Sequence, residues 1–279
     1  MLLAKGQNMN SRMIERLKHY HLTDSRAPSG KTYTHETHAP YPVSFHETSV
    51  LIDDRRTCSK HLQKIDTTAI ESMFQPCDRK IFELSTSIVS DIIFGSENES
   101  WKLIINTLCH RYAWVYTHSI NVALLSLIIA ENTGIDKKQL KNLAVGALFH
   151  DVGKILIPKE IIDKKTSLSD KEMAFMRQHC ELGVNLVDAY DLPEESLSVI
   201  LQHHERLDGS GYPYGLKSGD IHPLAKITMI ADVLDAITSA RPYRPAKSIG
   251  EAILIIKQEG GKFSPEYVAA IEKLHKIMR

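Results

Sequence analysis

An excess of charge of either sign is missing from this chain. Over 279 residues, 34 Lys+Arg are matched by 34 Asp+Glu. A balance of that kind offers no broad cationic face, which argues against duplex nucleic acid or an anionic membrane surface as a partner. Any anionic substrate has to be met by local charge inside a site. Long apolar runs are missing too. The longest, around Val122–Ala130, is interrupted by Ser126 and falls far short of the ~20 residues that cross a bilayer, so no membrane insertion is expected. Met1–Asn10 lacks the compact apolar core of a secretory signal, because Arg12, Glu15, Arg16 and Lys18 follow at once. Cysteine is sparse, and Cys58, Cys77, Cys109 and Cys180 show no paired spacing, as befits reduced thiols. The expected setting is the cytoplasm.

What is present is an ordinary globular composition, 43% hydrophobic and 24% charged, with one unusual count, 14 histidines. The chain divides near its first third. Before Asp78, the prolines Pro28, Pro40, Pro42 and Pro76 and the Ser/Thr/His-rich stretches between them leave little helical period. Residues 1–98 are read as an unassigned, regulatory or packing region in which Val43–Ile52 has room for a short strand, giving it mixed α/β character. His35 and His38 are a weak metal signal, since no third ligand stands nearby.

Residues 99–279 read differently. Strand-like alternation is absent, and three-to-four spacing dominates from Ile81 onward, which makes the fold class all-α. A long amphipathic helix is expected over Trp101–Thr133, stopped at Gly134, and another over Lys137–Phe149. Ser169 with Glu172 is a capping box that opens a helix running to about Tyr190. Pro193 opens the next helix, which reaches His203 and His204. A Gly/Pro-rich loop follows over Asp208–Pro223, then helices over Leu224–Ala240, Ser248–Lys257 and Ser264–Ile277.

His118, His150, Asp151, His179, His203, His204 and Asp232 punctuate these helices at intervals of about one helix hairpin. Zinc-finger ligands crowd into one small loop unit. Wide, regular spacing is what a bundle gives when facing helices each project a ligand inward. Each pair alone, His150-Asp151 or His203-His204, reads equally well as chance or a satisfied hydrogen bond. At a fraying last turn, however, both members of a pair can converge on one site.

The segments HDVGKILIPKEIIDK (His150–Lys164), HHERLDGSGYP (His203–Pro213) and IHPLAKITMIADVLDAITSARPYR (Ile221–Arg244) closely resemble the HD-GYP subgroup of the HD metal-dependent phosphohydrolase superfamily. THSINVALLS (Thr117–Ser126) and HCELG (His179–Gly183) are similar to the same subgroup. The resemblance runs from about Lys102 to Arg279. It implies an HD-type helical bundle with a dinuclear metal site, acting as a cyclic dinucleotide phosphodiesterase in bacterial second-messenger signalling. The substrate it implies is cyclic di-GMP, cut to linear pGpG and/or GMP. Two alternatives stay open at this point. One is another cyclic dinucleotide or nucleotide ester as substrate. The other is a low-turnover sensor that recruits a partner. Signalling protein partners and a homodimer are also left open.

The resemblance also implies roles. The residues matching His118, His150, Asp151 and Asp232 hold one metal, and those matching His179, His203 and His204 hold the second, with the Asp151 carboxylate bridging. Lys154 faces the substrate phosphate, Arg241 and Arg244 take the other phosphate or a guanine, and Asp208, Gly211, Tyr212 and Pro213 shape the pocket mouth. Residue chemistry agrees. A mixed imidazole and carboxylate shell favours two divalent ions such as iron or manganese, with zinc or nickel also suited. Two ions sharing a carboxylate can acidify water and clamp phosphoryl oxygens, so no Ser, Thr or Cys nucleophile is needed. Lys154 is placed to neutralise developing charge, and guanidinium forks grip phosphate or stack on guanine. Asp235, one turn after Asp232, reads as a partner of a ligand. One departure stands out. Some family members carry a Glu one turn before the first ligand His, supporting a third metal, whereas this chain has Trp114 there.

Overall fold

In the computed structural model, residues 67, 70, 79–95, 99–240 and 245–277 are described. Expectations on earlier residues, including Val43–Ile52, His35 and His38, lie outside the described residues, as do Arg241 and Arg244. Eleven α-helices carry the described chain, and among the described residues there is no strand beyond one isolated bridge. They are α1 (Arg79–Phe94), α2 (Glu99–Arg111), α3 (Ala113–Glu131), α4 (Lys137–Phe149), α5 (Lys159–Ile162), α6 (Asp170–Arg177), α7 (His179–Val187), α8 (Glu194–Gln202), α9 (Pro223–Thr238), α10 (Ile249–Gln258) and α11 (Pro265–Ile277). A 3-10 turn, Val152–Leu156, follows α4.

The expected single helix over Trp101–Thr133 is two helices. The chain breaks at Tyr112, whose φ of −145° and ψ of 73° leave the helical region. The second half is not amphipathic either. Every residue of α3 from His118 to Ala130 is buried, because α1, α2, α4 and α9 pack around it. A helix apolar on all sides belongs in a core. Removing a side chain such as Leu127, fully buried there, would cost about 3 kcal/mol. Placed in that core, α3 gives a rigid rail from which His118 projects.

Local signals stop the other helices where the site needs them. Asp136 caps α4 by accepting from Lys138 N. The Ser169–Glu172 capping box forms as expected, but its helix ends at Arg177, and Gln178 turns the chain into α7. A second capping box, Ser248 with Glu251, starts α10. The helix α1 packs on α3 and α4 through Val89, Ile92 and Ile93. It therefore shares the core of the helices that follow it.

Candidate metal centre

Five of the seven ligand candidates stand at helix ends and two in helix interiors, and the packing brings them together. His150 is the C-cap of α4, and Asp151 starts the 3-10 turn with φ −98° and ψ 5°. His179 opens α7, and His203 caps the end of α8 with His204 next in line. His118 and Asp232 come from the interiors of α3 and α9, which pack against each other. Their ligand atoms form two groups, each within 4.8 Å: His118, His150 and Asp232, and Asp151, His179, His203 and His204. All are buried except His204, which is partly so.

Asp151 stands between the groups, with one oxygen toward each. Oδ2 lies 3.4 Å from His150 Nε2 and 3.7 Å from His118 Nε2. Oδ1 lies 3.4 Å from His179 Nε2 and 4.0 Å from His203 Nε2. These separations are too long for good hydrogen bonds. They suit atoms arranged about a common ion, since two ligands each about 2.1 Å from it stand about 3–3.5 Å apart.

The tautomers point the same way. Nδ1–H donates from His150 to Ala147 O at 2.7 Å, from His179 to Met176 O at 2.7 Å and from His203 to Ile200 O at 2.9 Å. A neutral imidazole with its proton on Nδ1 presents a bare lone pair at Nε2. Two such nitrogens, on His179 and His203, face each other at 3.2 Å. His150 Nε2 and Asp151 Oδ1 are buried without a hydrogen-bond partner. Burial pushes the pKa of His179 down to about 4, and drives His203 and His204 well below the usual imidazole value. All three are neutral at ordinary pH, the form that ligates a cation. The donor set fits two metal ions.

His118 is held differently. Burial alone would lower its pKa, but the carboxylates of Asp232 and Asp235 outweigh it and raise the value to about 9. Asp235 Oδ2 accepts from Nδ1 at 2.6 Å, and Asp232 Oδ1 lies 3.1 Å from Nε2. Asp235 is steadied in turn, because its Oδ1 accepts from Asn121 Nδ2 at 2.8 Å and Ser239 Oγ at 2.9 Å. Burial also pushes Asp151 and Asp232 upward, but cationic neighbours win. Lys154 leads at Asp151 and His118 at Asp232, leaving both well below the usual carboxylate range.

Lys154 joins the cluster directly, its Nζ donating to Asp151 Oδ2 at 2.5 Å. Tyr212 also arrives, stacked on His204 with ring centroids 4.6 Å apart. Gly211 allows the approach, since a Cβ there would sit 2.4 Å from Glu205 Cα and Arg206 N. Pro213 follows through a cis peptide bond. Asp208 is turned elsewhere. Exposed at the loop, it accepts from Ser210 N and Oγ at 2.9 and 2.6 Å.

Three contributors escaped the sequence reading. Asn121 was signalled faintly, as a polar residue one turn after His118 in an apolar stretch. Buried Glu205 receives Tyr214 N at 2.8 Å and Leu216 N at 2.9 Å, folding the glycine loop back over the pair His203-His204. Arg177 reaches across from α6 to lie 5.1 Å from the Tyr212 ring centroid. Nothing local in sequence announces either contact.

A family model described as HD domain matches residues 102–267. The chain is 38% identical over 177 residues to a cyclic di-GMP phosphodiesterase of Thermotoga maritima, covering 62% of this chain and 48% of that one. It is 35% identical over 161 residues to a cyclic di-GMP phosphodiesterase of Pseudomonas aeruginosa, covering 57% and 39%. It is also 35% identical over 162 residues to a 3'3'-cGAMP-specific phosphodiesterase of Vibrio cholerae, covering 56% and 36%. The alignments thus span less than half the length of these relatives. Among solved structures, Bd1817, an HDG"Y"P protein from Bdellovibrio bacteriovorus, shares the fold with a TM-score of 0.51 at 19% identity, covering 82% of this chain and 76% of that one.

Proposed function

The chain belongs to the HD domain family, and from that premise we propose that it hydrolyses the phosphodiester of a cyclic dinucleotide, cyclic di-GMP first. One observation carries the proposal: Asp151 presents one carboxylate oxygen to each of two histidine groups whose lone pairs point inward. Residues His118, His150 and Asp232 would hold one divalent ion, His179, His203 and His204 the other, and Asp151 both. Iron or manganese suits this set best. When bound, the ions supply Lewis acidity, acidifying water and drawing charge off phosphoryl oxygens.

The protein's own groups do the rest. Lys154, partly exposed beside Asp151, neutralises charge on the phosphate. Its ammonium is already fixed by Asp151 Oδ2, so little reorganisation is needed when charge develops. Asp235 keeps the Nδ1 proton of His118 in place and so would leave Nε2 as the nitrogen available to a metal. Tyr212, with Gly211 and Pro213, walls one side of the mouth, and Arg241 and Arg244 contribute guanidinium forks for the second phosphate or a guanine. The catalytic domain takes in residues 99–279 with α1 packed on it, and the chain ahead of it is left to regulation. A cytoplasmic setting, with signalling partners or a second copy of the chain, goes with that role.

The test uses protein purified anaerobically and assayed for metal, incubated with cyclic di-GMP, 3'3'-cGAMP and cyclic di-AMP, with products identified by chromatography. Cleavage of cyclic di-GMP to pGpG or GMP is the expected result. Tight binding of cyclic di-GMP by metal-loaded protein that never cleaves it would make the chain a sensor.

A further inference from the structure

Trp114 is 47% exposed on α3, one helical turn before the ligand candidate His118. An indole carries a large apolar face that water serves poorly, and its neighbours Ala113 and Thr117 are also exposed, so they do not cover it. The ring is tied to the metal centre nonetheless. Lys154 Nζ lies 5.8 Å from its centroid, a cation–π distance, and the same ammonium donates to Asp151 Oδ2 at 2.5 Å. One lysine side chain therefore links an open aromatic face to the carboxylate between the two ligand groups. Tyr212 also has a cation over its ring, Arg177, but its face is in addition stacked on His204.

We propose that Trp114 is the stacking platform for one purine base of the substrate, with Lys154 setting the spacing between that base and the phosphate delivered to Asp151. The proposal deepens the cyclic dinucleotide reading and rests on it. Every base has a π face, so an indole holds a purine without reading its edge. The platform would confer affinity for nucleobases in general, while discrimination of guanine from adenine falls to groups that meet the base edge. A phosphodiester without a base gains nothing from Trp114.

The test uses the full chain loaded with manganese and follows indole emission during titration with GMP, cyclic di-GMP and ribose 5-phosphate. Saturable quenching by the first two and none by the third is expected. Trp114→Phe removes the quenching, because the remaining Trp101 is not the platform, yet keeps an aromatic face and holds KM for the cyclic dinucleotide within about threefold. Trp114→Ala raises that KM about tenfold or more, with a smaller change in kcat. An unchanged KM in Trp114→Ala, quenching that persists in Trp114→Phe, or equal quenching by ribose 5-phosphate would each overturn the platform. The two readings fail separately. Cleavage of cyclic di-GMP with an unaltered KM in Trp114→Ala sinks the platform alone. Base-dependent quenching in a protein that cleaves no cyclic dinucleotide sinks the phosphodiesterase alone.

Discussion

Gly153 lies so close to His179 that a Cβ added to it would sit 1.9 Å from the His179 carbonyl oxygen and 2.5 Å from Gly183 N. The 3-10 turn that follows Asp151 is thereby seated against the first turn of α7, which fixes how far Asp151 stands from His179. Gly153→Ala should destabilise the protein by about 3 kcal/mol and deplete metal from the group containing His179. Gly219→Ala is the control. A Cβ there meets nothing within 4 Å, so its effect should stay within about 0.5 kcal/mol. Denaturant midpoints and metal content decide the matter. A Gly153→Ala protein matching the parent on both would show that this contact yields freely.

The hydrogen bond from His118 Nδ1 to Asp235 makes a second prediction. Asp235→Asn keeps the shape but removes the negative charge that raises the basicity of His118. Metal affinity should fall by about 10–100-fold, read by competition with a chromogenic chelator. Unchanged affinity would reduce Asp235 to a packing residue.

Much of this arrangement was legible in the sequence, for a physical reason. Ligands spaced one hairpin apart can meet only if helices face one another, so His118, His150, His179, His203 and Asp232 implied the bundle and the site together. The Ser169–Glu172 capping box and the stop at Phe149 could be read because a cap is a local hydrogen bond. The break at Tyr112 could not. Apolar periodicity continues across it, and only packing of α2 and α3 on their neighbours reveals two directions. Arg177 was equally silent, because it contacts Tyr212 across a gap in sequence that no local pattern bridges. The amphipathic face expected for α3 vanished because helices cover it on every side.

Two histidines titrate in opposite directions, which gives the metal-free protein a stability maximum. His118 is raised to about 9 in the fold from an ordinary value of 6.5. Its contribution is complete below pH 6.5 and is lost as pH rises through 9. His179 is depressed to about 4, so its contribution is complete above pH 6.5 and is lost as pH falls through 4. In chelator, Tm should therefore peak near pH 6.5 and decline on both sides. Metal loading at pH 7.5 should release about one proton, from His118, because His179, His203 and His204 are already neutral. Calorimetry in buffers of differing ionisation heat measures that number. A release of about four protons would mean that the three depressed histidines are charged after all.

The position of Asp151 between the groups separates it from every other ligand candidate, and substitution can expose the difference. Asp232 belongs to the group with His118 and His150, so Asp232→Ala should remove one ion and leave about one per chain. Asp151→Ala withdraws an oxygen from both groups at once. It also takes away the negative charge that offsets two cations held near each other, and it leaves the Lys154 ammonium without its partner beside them. Both ions should be lost, and phosphodiester hydrolysis should drop to below about one thousandth. Asp151→Asn then distinguishes charge from shape. The amide keeps the volume and one neutral oxygen but cannot bridge, so it should resemble Asp151→Ala in metal content while retaining the parent's helicity. Elemental analysis of all three variants gives the answer. If Asp151→Ala and Asp232→Ala each retain one ion, Asp151 serves a single metal and the bridging assignment falls.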